Sequence, residues 1–304
     1  MSEQLRGILT ALTVPFAEDG SVDYQRLRDV VERSIDGGVH GVVACGSTGE
    51  VSALSGDERR QIVETVVDQT AGRVPVIAQT GATSTAEAIA LSRHAAAAGA
   101  DVLMTLAPYY EPLSLDETLR YFRAVAGSVD IPVMLYNIPS VTGVNLEPEI
   151  VGRLAREVEN IQYVKNTSPD AAQSAQLIHH FGDVVSTFVG WDTLILSSLV
   201  EGAAGVMAGT ANIIPARIVA VYDAVAAGRI DIARQEWNRI YPLLDAIISG
   251  PFVPAVKAAL AADGFPIGEP REPMTPLDAE SAARIAGLLA RVQEAPVPTV
   301  GVVR

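Results

Sequence analysis

Hydrophobic residues in this chain gather into short runs separated by longer stretches of helical period. The runs lie at 8–14, 41–45, 74–80, 101–107, 131–137, 161–167, 184–190 and 203–208. Each is almost continuously apolar and bounded by Gly, Pro or Asp, the pattern of a strand covered on both faces. Between them, 23–37, 57–70, 84–98, 114–126 and 147–156 read as helices. Three helices open on a Ser with Glu three residues later: Ser55 and Glu58, Ser84 and Glu87, Ser114 and Glu117. Such a pair satisfies two exposed backbone donors at a helix start. Gly37-Gly38 and Gly99 stand where helices should end, because a C-terminus favours a residue tolerant of positive φ.

Eight β-α units in a row predict an α/β fold, a (β/α)8 TIM barrel over residues 1–228. The rival, a doubly wound open sheet, would carry a Gly-rich turn after its first strand. Thr13-Val14-Pro15-Phe16 is not such a turn. Beyond 228 the strand pattern stops. Segments 229–249, 254–263 and 278–293 read as helices, with a proline-rich connector at 266–276. Residues 229–304 are therefore expected to form a C-terminal helical extension.

Composition and charge narrow the partners. A chain of 304 residues can bury a large core without staples. Its net charge of −14 repels a phosphate backbone, so nucleic acid is not an expected partner. An anionic substrate must then meet a local cluster of donors. Cys45 is the only cysteine, so no intrachain disulfide is possible, and it reads as a small buried residue in a reducing compartment. The run Ile8 to Phe16 is short, with two Thr and a Pro, and reads as a strand rather than a signal peptide. No apolar stretch is long enough to span a bilayer. A cytoplasmic protein is expected.

The chemistry of such a barrel sits at the C-terminal ends of its strands. The chain has two lysines among its 22 basic residues, and Lys165 lies inside the apolar run Ile161 to Thr167. Burial disfavours an ammonium ion, and a neutral amine is the nucleophile of Schiff-base chemistry. The alternative is a lysine that reaches solvent or pairs with a carboxylate. Lys257, in an apparent helix, reads as structural. Gly46-Ser47-Thr48-Gly49-Glu50 follows the second strand. It is either an anion cradle of small residues or an ordinary Gly-rich turn. Tyr136 closes the fifth strand, as a proton-transferring phenol or a rim residue anchored by its ring. Tyr109 and Tyr110 suit a pocket lining or a subunit interface. Thr167 shares a strand face with Lys165 and is placed to bond a substrate hydroxyl. Asp192 is either a polar substrate contact or a cap. His40, His94, His179 and His180 lie away from the strand ends and lack metal-ligand spacing, so neither a metal nor another cofactor is expected.

Taken in order, these motifs resemble the dihydrodipicolinate synthase / N-acetylneuraminate lyase family. The match runs from Ala11 to Phe16 with Asp19 to Asp23, through GSTGE, PYY and YNIP with Thr142-Gly143, to Lys165. It continues through Val253 to Leu260 and Pro270 to Leu277. The resemblance implies that Lys165 forms an imine with the 2-oxo carbon of pyruvate, and that Ser47 and Thr48 hold its carboxylate. It implies that Tyr136 is the acid/base phenol and that Tyr110 completes a relay with Thr48, reaching into a neighbouring subunit. Met207 would line the pyruvate pocket. A homo-oligomer, dimer or tetramer, is the family's habit.

One departure bears on the substrate. Lysine-pathway synthases typically carry Arg two residues after YNxP, where it grips the aldehyde's carboxylate. Val141 stands there and donates nothing. The arrangement of Lys165 and Thr167 is closer to the sugar-acid lyases, while Trp191-Asp192-Thr193 departs from the sialic acid lyase pattern. The sequence thus favours a class I aldolase or dehydratase for a hydroxylated 2-oxo acid, such as a 2-keto-3-deoxy sugar acid. Dihydrodipicolinate synthesis from aspartate semialdehyde comes second, and a catalytically silent barrel with a binding role third. A phosphate-dependent isomerase would need more than Gly209-Thr210-Ala211 as its anion site.

Overall fold

The computed structural model describes residues 4–298. Eight parallel strands close in sequence order into one barrel. They are β1 (Gly7–Ala11), β2 (Gly41–Ala44), β3 (Val76–Gln79), β4 (Val102–Leu106), β5 (Val133–Asn137), β6 (Ile161–Asn166), β7 (Ser186–Val189) and β8 (Gly205–Ala208). The expected barrel is the one observed. The strands are shorter than the apolar runs, and at β1 the run continues past Ala11 as buried loop. Hydrophobicity reports burial there rather than ladder pairing. After β8 come the helices Pro215–Ala226, Ile230–Ile248, Phe252–Ala262 and Ala279–Gln293.

Packing separates the chain into two compact units. One comprises residues 4–6 and Pro75–Met207, with β3 to β7 and most of β8. The other comprises Gly7–Val74 and residues 208–298, with β1, β2 and the C-terminal helices.

Helix starts follow local chemistry. Ser55/Glu58 and Ser114/Glu117 form complete reciprocal caps. Ser84 shows the hydroxyl half alone, accepting from the Glu87 amide. Its φ is −116°, against −69° and −64° at the other two.

The pairing of β5 with β6 decides the site. Val133 pairs with Ile161, but Met134 pairs with Tyr163, so β6 carries one extra residue at Gln162. Carrying the first register straight on would set Val164 opposite Tyr136. The bulge sets Lys165 there instead. Such a bulge re-aims every side chain that follows it.

At the start of β1, the Ile8 amide donates to His40 Nδ1 at 3.1 Å. The ring is therefore neutral, with its proton on Nε2. It lies against Gly7, where a Cβ would fall 2.4 Å from Cγ. Burial holds the His40 pKa below its ordinary value, opposed by the charge of Asp223. The unfolded chain then takes up this proton at higher pH than the folded one. Stability from this group is present above the unfolded value, about 6.5, and is lost as pH falls below it. Thermal midpoints between about pH 7 and about pH 5.5 should therefore fall faster for the wild type than for His40→Gln. Parallel curves for the two proteins would assign the acid sensitivity to other groups.

Candidate active site

Lys165 is 5% exposed, near the C-terminal end of β6. Its Cα neighbours across the sheet are Tyr136 on β5 and Phe188 on β7. Its Nζ sits 4.1 Å from the centre of the Tyr136 ring. Among the described residues no carboxylate lies within 4 Å of it. Lys257, 4% exposed, is treated differently. Its Nζ lies 2.7 Å from Glu50 Oε1 and donates to the Glu269 carbonyl at 3.0 Å. Burial pushes the Lys257 pKa down, and the bond and charge of Glu50 oppose that shift. At an effective dielectric of about 20 a carboxylate at 4 Å is worth about 4 kcal/mol to an ammonium. A ring face is worth about 0.5–2 kcal/mol. Two lysines with equal burial thus have different surroundings, one a counter-ion and the other an aromatic face.

Glycine makes room for the Lys165 side chain. A Cβ at Gly190, just past β7, would fall 2.1 Å from Thr167 Oγ1 and 2.5 Å from Lys165 Cε. Thr167 Oγ1 is buried and has no hydrogen-bond partner in this structure. An orphan hydroxyl of this kind calls for a ligand or an ordered water.

Behind this layer lies a network of amides. Asn137 Nδ2 donates to Asn145 Oδ1 and to Asn166 Oδ1, both at 2.9 Å, and Asn137 Oδ1 accepts from the Leu146 amide. Asn166 Nδ2 donates to Ser174 Oγ at 3.0 Å. These residues alternate with Tyr136 and Lys165 along their strands. The amides therefore lock the ends of β5 and β6 from the helix side while Tyr136 and Lys165 face the other way.

In the second unit, Ser47–Gly49 forms a single 3-10 turn, with Thr48 buried. Non-glycine residues in left-handed conformation bracket it, Cys45 at φ 58° and Glu50 at φ 56°. Each costs of order 1 kcal/mol and persists only where surrounding contacts enforce it. A Cβ at Gly209 would fall 3.0 Å from Thr48 Oγ1, so glycine there leaves space beside that hydroxyl. Burial pushes the Cys45 thiol up to about 12. That fits a buried structural residue, not a thiolate nucleophile.

The other predicted residues fall in several places. Met207 is buried on β8. Asp192 is buried and opens the 3-10 turn Asp192–Leu194. Val141 is 56% exposed on the short helix Pro139–Thr142. Tyr110 is 81% exposed, so it is open to a partner surface. Neither Gly190 nor the Asn137–Asn166 pair nor the Glu50–Lys257 pair stands out in the sequence alone. Their signals were faint: Gly190 precedes a conspicuous Trp-Asp, and both Asn follow predicted reactive residues.

A closed parallel barrel with an unpaired buried amine at the strand ends defines a class, the barrel lyases that work through a Schiff base. A model of the dihydrodipicolinate synthetase family matches residues 4–292. The 4-hydroxy-tetrahydrodipicolinate synthase of Pelobacter propionicus is 39% identical over 93% of this chain and 97% of its own. That of Methanothrix thermoacetophila is 39% identical over 95% and 97%. A dihydrodipicolinate synthase crystal structure superposes with a TM-score of 0.90 at 36% identity, covering 94% of this chain and 98% of its own. The structure of YagE, a prophage protein of E. coli K12 in complex with pyruvate, superposes at 0.92 and 32% identity, covering 95% and 99%. The chain belongs to the dihydrodipicolinate synthetase family, and it is a lyase. The relatives carry the activity that the sequence alone ranked second. Their names reverse that order because the ranking turned on Val141, one side chain, while the likeness spans the chain. Among the described residues no helix is long and apolar enough to cross a membrane.

Gly190→Ala should leave the protein folded and push Lys165 aside. Loss of position near 1 Å costs about 10²-fold in rate. Trapping of bound pyruvate by borohydride should slow by about that factor. An unchanged trapping rate would mean that the methyl is absorbed elsewhere.

Proposed function

We propose that Lys165 binds pyruvate as a Schiff base and that the protein condenses it with aspartate semialdehyde, as a 4-hydroxy-tetrahydrodipicolinate synthase. The observation that carries the first half is the buried Lys165 amine without a carboxylate, its Nζ facing the Tyr136 ring. The relatives' shared activity supports the second half.

In this reading the amine adds to C2 of pyruvate, and the carbinolamine loses water to give the imine. Tyr136 carries protons to and from the departing oxygen. The protonated imine draws electrons from C3, which loses a proton to form an enamine. The enamine carbon attacks the aldehyde carbon, and the amino group of the semialdehyde moiety then adds to the imine carbon and displaces the Lys165 amine, closing the ring. Ser47 and Thr48 hold the pyruvate carboxylate, and Met207 lines its methyl side. Tyr110, exposed here, joins the Thr48 relay from a neighbouring copy in a dimer or tetramer. We place the enzyme in the cytoplasm, a reducing compartment that suits its single buried thiol.

A second reading has its own support. Val141 offers no donor to the carboxylate of aspartate semialdehyde, and Thr167 Oγ1 is an unused hydroxyl beside Lys165. A hydroxylated 2-oxo acid, cleaved to pyruvate or dehydrated, would use Thr167. Asp192 would be the further polar contact.

Wild-type protein treated with pyruvate and borohydride should gain one reduced pyruvate on Lys165, and Lys165→Arg should gain none. Absence of the wild-type adduct would end the mechanism. Turnover with aspartate semialdehyde should exceed pyruvate release from 2-keto-3-deoxy sugar acids, followed with lactate dehydrogenase. The reverse order selects the second reading. Val141→Arg should then raise activity on the semialdehyde.

A further inference from the structure

The reaction proposed above leaves one buried ionic cluster unused. Glu50 is 1% exposed and ends the Ser47–Gly49 turn in left-handed conformation, φ 56° and ψ 37°. Two elements far along the chain hold its carboxylate. Lys257, on the helix Phe252–Ala262, places Nζ 2.7 Å from Oε1. The Arg271 amide donates to Oε2 at 2.8 Å. Arg271 also donates from Nη1 to the Ala53 carbonyl at 2.8 Å and pairs with Glu58, the residue that caps the helix Gly56–Thr70. The Phe16 ring carries both cations, Lys257 Nζ and Arg271 Cζ each 4.3 Å from its centre. The segment bearing Arg271 packs closely against Phe16. At Gly268, φ +77°, a Cβ would fall 2.0 Å from the Phe16 carbonyl, and the Phe16 amide donates to Ile267.

A strained turn needs an enforcing contact, and the buried Glu50 carboxylate supplies one, with the Lys257 ammonium at Oε1 and the Arg271 backbone amide at Oε2. We propose that Glu50 is a positioning residue for the substrate carboxylate, holding Ser47 and Thr48 in place through Lys257 and Arg271. This inference rests on reading Ser47 and Thr48 as the carboxylate site. The C-terminal segment thereby sets the affinity for pyruvate without touching it. The charge matters as well as the shape, because an amide at position 50 would turn a donor toward Lys257 or lose the Arg271 amide.

The test uses the full-length protein and pyruvate itself. Borohydride trapping on Lys165 is measured against pyruvate concentration, with thermal melting in parallel. Glu50→Gln should raise the half-saturating pyruvate concentration by about tenfold or more and leave trapping at saturation within about threefold, the split that marks lost ground-state binding. Glu236→Gln is the control. It breaks the buried pair of Arg217 and Glu236, 2.6 Å apart, and should lower the melting point without moving half-saturation. If Glu50→Gln does not fold, the Glu50→Gln/Lys257→Met double variant, which leaves no orphan charge, carries the same expectation. Half-saturation within about twofold of wild type in a folded variant overturns the proposal. So does an equal shift in the Glu236→Gln control. Absence of any adduct on the wild type is distinct: it removes the Schiff-base reading and this inference with it.

Discussion

The register between β5 and β6 is the constraint on which the site depends. One extra residue at Gln162 moves Lys165 opposite Tyr136, in a layer where Phe188 follows on β7. A lysine one place earlier or later would point into the helix layer. Once there, its four-carbon stem needs a groove, and Gly190 supplies it by lacking a Cβ. The Asn137–Asn166 bonds then hold the two strand ends from behind. Placement, room and rigidity come from three different strands, and a reacting amine needs all three.

The two lysines illustrate how a barrel separates structure from chemistry. Lys257 has a carboxylate, a carbonyl and a ring around it. Removing any of its charges would leave another buried and unpaired, which is strongly destabilising. Lys165 has a ring face and, nearby, a hydroxyl without a partner. The hydroxyls of Thr10, Thr70 and Thr187 are buried without a partner too, and Thr167 differs from them in lying beside a buried amine. Such a pair is expected where a small polar molecule completes the set.

Family membership settles the class of reaction and leaves the electrophile to local detail. Both proposed readings give Lys165 and its surroundings the handling of pyruvate. Val141 offers no donor and Thr167 an unused hydroxyl, and both bear on the identity of the second substrate. Global likeness and local chemistry therefore bear on different halves of the same question.

Much of this was legible in the sequence. Eight apolar runs bounded by Gly, Pro or Asp, with helical stretches between, mark a parallel sheet covered on both faces, and eight units without a Gly-rich first turn favour the barrel over the doubly wound sheet. Capping serines and a rare lysine in an apolar run are local signals, and local chemistry decided them. The rest required the closed fold. The sequence does not show the extra residue at Gln162, since a bulge exists only relative to a partner strand. Nor does it join Glu50 to Lys257 and Arg271, more than 200 residues away, because side chains that meet through tertiary packing leave no periodic trace in the chain.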